Sequence, residues 1–194
     1  VVVVHPHLGL HVDIAVGPAV ADALVVDAHD AEAIALLERT VNMNSGTMNL
    51  DGVRAVGDVF REAFDAAGLK TEWIDGSSFD RAGQLVATPG DRGLHVLLIG
   101  HLDTVFEPDS PFQTFERIDE HTARGPGTTD MKGGNLVMLL ALQALADAGV
   151  LDRLAVRVVL AGDEEKRGRP LDVATRPIVD GAIWADAALG FEDG

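Results

Sequence analysis

The chain has no cysteine. That excludes a disulfide framework, thiolate metal sites and a cysteine nucleophile, leaves the redox compartment open, and restricts any metal ligand set to histidine and carboxylates. Basic residues are scarce as well: 15 Lys and Arg against 31 Asp and Glu give a formal net charge of −16 and a pI near 4.6. Such a field repels phosphate backbones and anionic lipid surfaces, so neither nucleic acid nor a membrane is an expected partner. No apolar run free of His, Pro or charge reaches the roughly 18 residues of a membrane-spanning helix. No repeat of fixed period is present, and the only compositional bias is the Val and Ala richness of residues 1–30. The chain opens on Val1 with no basic segment ahead of an apolar core, so a signal peptide is expected to be absent or already removed. The compartment stays open between the cytoplasm and the periplasm or exterior.

What is present is enough for one domain: 194 residues with 47% hydrophobic content can bury a full-sized core. Residues 1–30 show no clear period and read as an N-terminal extension of uncertain structure. Beyond them Ile34, Leu37 and Val41 recur at helical spacing, and Asn44, Ser45 and Gly46 follow as breakers. A second helix is predicted over 50–67, with Val53, Val56, Phe60 and Phe64 on one stripe and Gly68 as its cap. Short strands are predicted over 69–74 and 84–87, and the continuous apolar run 94–99 predicts a strand buried on both faces. Strands near 115–118 and 122–124 precede a strong helix over 134–148 and a buried strand over 154–161. A helix over 171–184 and a strand over 187–191 complete an alternation that predicts an α/β sandwich around a covered sheet.

Four local motifs carry acidic or imidazole groups. G-H-L-D-T-V-F places His101 and Asp103 on one face of extended chain, where Asp103 can hold the second nitrogen of a metal-ligating imidazole; alone, the pair also fits a polar turn. R-G-P-G-T-T-D-M-K-G-G places Asp130 just before the long helix, an ordinary position for a capping side chain. Its glycines do not make a phosphate loop, because G-x-x-x-x-G-K-[ST] is absent. G-D-E-E places Asp163, Glu164 and Glu165 after a buried strand, which fits either a solvated turn or a cation site. Neighbouring side chains of extended backbone point opposite ways, so Glu164 and Glu165 divide naturally into a base and a ligand. L-G-F-E-D-G places Glu192 and Asp193 after the last strand, where a frayed acidic tail is the plain alternative. Each motif falls at the carboxyl end of a predicted strand, where open α/β sheets gather their ligands. One imidazole with several carboxylates suits zinc, cobalt or manganese better than copper or an iron–sulfur cluster.

On these motifs, with R-T-V-N-x-N-S-G-T upstream of them, residues 31–194 resemble the co-catalytic dizinc metallopeptidases that include glutamate carboxypeptidase, aminoacylase and succinyl-diaminopimelate desuccinylase. The likeness is closest to the glutamate-carboxypeptidase-like members. It implies a three-layer α/β sandwich with a mostly parallel, twisted central sheet, of the zinc exopeptidase type and incomplete at the C-terminus. It also implies that His101 and Glu192 bind one Zn2+, that Glu165 binds the other, and that Asp130 bridges them. Glu164 is then the general base and Asp103 keeps His101 in its tautomer. The reaction implied is hydrolysis of an amide or peptide bond next to a free carboxylate, in a small peptide or an N-acyl amino acid, by a protein that is a homodimer at full length. A full member continues into a lid or dimerisation domain and a return segment that supplies further histidines, neither of which is in this sequence. An inactive fragment or a non-catalytic metal-binding domain is therefore the alternative expectation. None of His5, His7, His11, His29, His95 or His121 occupies a motif position.

Overall fold

The computed structural model describes residues 30–88, 90–119 and 122–192. The expected extension over 1–30 lies almost wholly outside them, as do His5, His7, His11, His29, His121 and Asp193. In chain order the elements are α1 (Asp30–Val41), α2 (Leu50–Ala66), β1 (Lys70–Asp75), β2 (Gly83–Thr88), β3 (Leu94–His101), β4 (Glu116–Arg117), β5 (Ala123–Arg124), α3 (Lys132–Asp147), β6 (Leu154–Ala161), α4 (Leu171–Ala174), α5 (Arg176–Trp184) and β7 (Ala187–Gly190).

Five strands form one sheet in the order β1-β2-β6-β3-β7, and β4 and β5 pair as a separate ribbon. β3 runs parallel to both β6 and β7, whereas β2 is antiparallel to β1 and to β6. Four strands thus share one direction, and β2 alone is reversed.

Helices cover both faces of the sheet. The period of two sends Leu85, Ala87, Leu98, Val156, Val158 and Leu160 into one core with Val53, Val56, Phe60 and Phe64 of α2 and Leu136, Met138, Leu139 and Leu142 of α3. Each large apolar side chain buried there is worth about 1.5–3 kcal/mol. Alternate residues face the other layer: Gln84 donates to the carbonyl of Ala174 beside α4, Leu97 packs on Gly181 of α5, and the Arg157 guanidinium lies 4.5 Å from the Trp184 ring centroid. The architecture is the expected three-layer sandwich.

Helix α2 begins where Asn49 accepts a hydrogen bond from the Gly52 amide at 3.2 Å, and it ends before Gly68 at φ 86°. The helix expected over 171–184 is instead two helices meeting at Thr175. Pro177 stands in the first turn of α5, where its missing N–H costs nothing, but it cannot continue the ladder of α4. Among the described residues no helix is long and apolar enough to cross a membrane.

Candidate metal centre

His101 ends β3, Asp163, Glu164 and Glu165 follow β6, and Glu192 follows β7, all at the same edge of the parallel part of the sheet. Asp130 reaches this edge differently. β5 stops at Arg124, and the turn through Gly125 and Gly127 carries Asp130 to the start of α3. Three strand ends and one helix start, rather than four strand ends, build the site.

Imidazole and carboxylate oxygens converge there. His101 Nε2 lies 2.8 Å from Asp130 Oδ1 and 3.5 Å from Glu192 Oε1. One donor atom from each of His101, Asp130 and Glu192 falls within 4.8 Å of the others. His101 is buried, while the Asp130 and Glu192 side chains are about half exposed. The capping role that the sequence allows for Asp130 is not used, since α3 has no side-chain cap.

The other imidazole nitrogen, Nδ1, sits 3.0 Å from the main-chain carbonyl of Asp103 and 3.3 Å from its carboxylate. Asp103 is fully buried, and its oxygens accept the Glu164 amide at 3.0 Å, the Glu165 amide at 3.1 Å and the Thr47 hydroxyl at 2.7 Å. The acidic tip is therefore a turn pinned by Asp103, not extended chain, and the alternation argument for Glu164 and Glu165 has no strand to act in. Asp163 points inward, accepting the Gly168 amide at 2.9 Å and facing Arg167 Nη1 at 3.4 Å. Glu164 points outward, 3.8 Å from Arg167 Nη2.

The electrostatics of the cluster are strained in one direction. Burial opposes charge on His101, but its hydrogen bond to Asp103 and the negative charges of Asp103, Glu192 and Asp130 outweigh burial and lift it to about 9. Burial, reinforced by the charge of Asp130, raises the Glu165 carboxyl to about 6. Burial and then the charges of Asp130 and Glu164 push Glu192 upward against the pull of His101. These acids repel one another across the cluster, a repulsion that a divalent cation would relieve. The donor set fits such an ion: one imidazole nitrogen and carboxylate oxygens within reach of a common point, with the second imidazole nitrogen held.

Three supporting residues have no role in the sequence reading. Lys132 is buried and donates to the carbonyls of Thr40 at 2.9 Å and Met43 at 3.1 Å, tying α1 to α3; burial draws its pKa down to about 8. The Asn135 amide donates to the His101 carbonyl at 2.6 Å, bracing the end of β3. Thr47 braces Asp103. Lys132 and Thr47 lie inside the motifs D-M-K-G-G and N-S-G-T, the only signal available for them. The two glycines of D-M-K-G-G are explained by close approach: a Cβ on Gly133 would lie 2.2 Å from the Thr128 carbonyl oxygen, and one on Gly134 2.0 Å from that of Phe191.

An α/β sandwich that gathers one imidazole and several carboxylates at one edge of its sheet has the donor groups that divalent-metal sites use. Residues 97–191 match the model of peptidase family M20/M25/M40. It is 30% identical over 161 residues to carboxypeptidase G2 of Pseudomonas sp. (strain RS-16), spanning 82% of this chain and 38% of that protein. A probable succinyl-diaminopimelate desuccinylase of Staphylococcus aureus (strain MRSA252) is 29% identical over 144 residues, 71% of this chain and 33% of its own length. The chain thus spans well under half the length of these relatives. Human carnosine dipeptidase 1 shares the fold at a TM-score of 0.70 and 17% identity, over 86% of this chain and 39% of that one. An M20 family metallo-carboxypeptidase from Sulfolobus solfataricus does so at 0.67 and 18%, over 84% and 38%. The match to this family implies a divalent metal.

Proposed function

We propose that the protein carrying this chain is a zinc-dependent hydrolase that cleaves an amide or peptide bond next to a free carboxylate, in small peptides or N-acyl amino acids. The observation that carries the reading is the meeting of His101, Asp130 and Glu192 within 4.8 Å beside a Glu165 carboxyl whose pKa the charge of Asp130 helps to raise. His101 and Glu192 would hold one Zn2+, Glu165 would contribute to holding a second, and Asp130 would serve both. Bound ions supply Lewis acidity to the scissile carbonyl and to the attacking water.

The protein's own groups do the rest. Asp103 fixes the imidazole through its carbonyl and carboxylate, leaving Nε2 toward the ligand group. It also accepts the Glu164 amide, so that the Glu164 side chain projects from a hydrogen-bonded backbone toward solvent. From there Glu164 accepts a proton from the attacking water and delivers it to the leaving nitrogen. The names of the two sequence relatives, a carboxypeptidase and a desuccinylase, support a substrate with a carboxylate near the scissile amide. The net charge of −16 argues against nucleic acid or an anionic membrane as a partner.

The test is E164Q in the full-length protein, assayed on a panel of N-acyl amino acids and dipeptides with zinc measured by elemental analysis. Turnover is expected to fall by about a hundred- to ten-thousandfold, with metal content unchanged. Undiminished turnover, or a wild-type protein that takes up no zinc, removes the proposal.

A further inference from the structure

The loop between α1 and α2 lies far from the acidic motifs in sequence, yet it is bonded along its length to the segment that follows His101. The Thr104 amide donates to the Ser45 carbonyl at 2.9 Å, and the Thr47 amide to the Thr104 carbonyl at 3.2 Å, forming a parallel bridge between Gly46 and Thr104. Asn44 Nδ2 donates to the Phe106 carbonyl at 2.9 Å, and Glu107 Oε1 accepts the Met48 amide at 3.1 Å. This frame places one hydroxyl inside the protein: Thr47, 1% exposed, donates to Asp103 Oδ2 at 2.7 Å.

Asp103 Oδ2 is also the acceptor of the Glu165 amide, while Oδ1 takes the Glu164 amide and faces His101. A buried carboxylate with that many donors has its orientation set by all of them together, and losing one lets it rotate. Rotation of Asp103 would move the amides of the acidic tip and the imidazole in concert, because each bonds or faces one of its two carboxylate oxygens. Among the described residues Thr47 is the one donor to Asp103 that belongs neither to the acidic tip nor to His101, so it supplies an outside reference for the whole group.

We propose that Thr47 is a positioning residue: its hydroxyl locks the Asp103 carboxylate and thereby fixes Glu164 and Glu165 relative to His101. The inference rests on the hydrolase reading only for its activity arm. The variants are T47V, which keeps the shape and removes the donor, and T47S, which restores it. In the metal-free full-length protein, hydrogen exchange at the Glu164 and Glu165 amides is expected to quicken by about tenfold or more in T47V, while amides of Val158 and Leu160 in β6 stay as protected as in the wild type; T47S returns the tip amides to near wild-type protection. In the zinc-loaded protein T47V lowers kcat about ten- to a hundredfold with KM little changed, and T47S recovers most of the loss. The proposal is overturned if the tip amides exchange equally in T47V and wild type. It is also overturned if protection falls uniformly through β6, or if T47S is as impaired as T47V. Absence of any hydrolysis by the wild type counts against the hydrolase reading alone, since the exchange arm is read without turnover.

Discussion

His101 shows how a single side chain can be both buried and charged. Its pKa in the folded, metal-free protein lies at about 9 against an ordinary 6.5, so the proton it holds stabilises the fold. A raised folded pKa gives stability fully present below pH 6.5 and lost as the pH climbs through about 9. The unfolding midpoint of metal-free protein, followed by circular dichroism, is therefore expected to decline across that window through this residue. A cation must displace the same proton, so zinc uptake at pH 7.5 should release close to one proton per site from His101, measurable by calorimetry in buffers of different ionisation enthalpy. Uptake with no proton release would place the cation on other groups. The meeting of His101, Asp130 and Glu192 at one edge of the sheet was legible because each stands beside glycines or at the end of an apolar run. The partnership of Thr47 with Asp103, 56 residues apart, was not, because nothing in either local pattern encodes the other.

The strands and helices were legible to within a few residues wherever periodicity alone decides. β6 matches its predicted span, and α1, α2, α3 and β3 differ only at their ends. The exceptions have physical causes. The apolar pattern over 171–184 is continuous, but Pro177 divides it, and pattern reading weighed the apolar residues above the missing donor. The K-G-G start of α3, read from the sequence only as no phosphate loop, is a packing surface. Gly134 lets the helix press on the carbonyl of Phe191, one residue before Glu192. In G134A the added methyl must push that backbone away, with a destabilisation of about 1–3 kcal/mol by denaturant unfolding. Zinc binding should weaken beyond what that loss of stability explains, because Glu192 moves with Phe191. Unaltered zinc affinity would show that the two elements are not coupled here.

At the scale of the whole molecule the net charge of −16 is uneven in its effect. Most acids are solvated at the surface, whereas those at the sheet edge face one another with raised pKa values. Chelation should therefore lower the thermal midpoint well beyond any effect on a protein of the same net charge without such a cluster. Zinc at a hundred times its dissociation constant should return about 2.7 kcal/mol, read by differential scanning calorimetry. A midpoint indifferent to chelator would mean that the acids tolerate one another unaided. The overall architecture was legible from the alternation of elements, but the reversed direction of β2 was not, since strand polarity leaves no mark on composition.

The border of the sheet has a consequence for how such a site assembles. β7 is stitched to β3 along one side only, from Val96 opposite Ala187 to Ile99 opposite Gly190, and among the described residues its outer side meets no strand. Just past this short seam, Phe191 reaches back to the Ile99 carbonyl with a stretched contact of 3.4 Å. An ion clasped by His101 on the interior strand and Glu192 beside the outer one would work as a rivet through both plates. Loading the ion and fastening β7 would then become a single event.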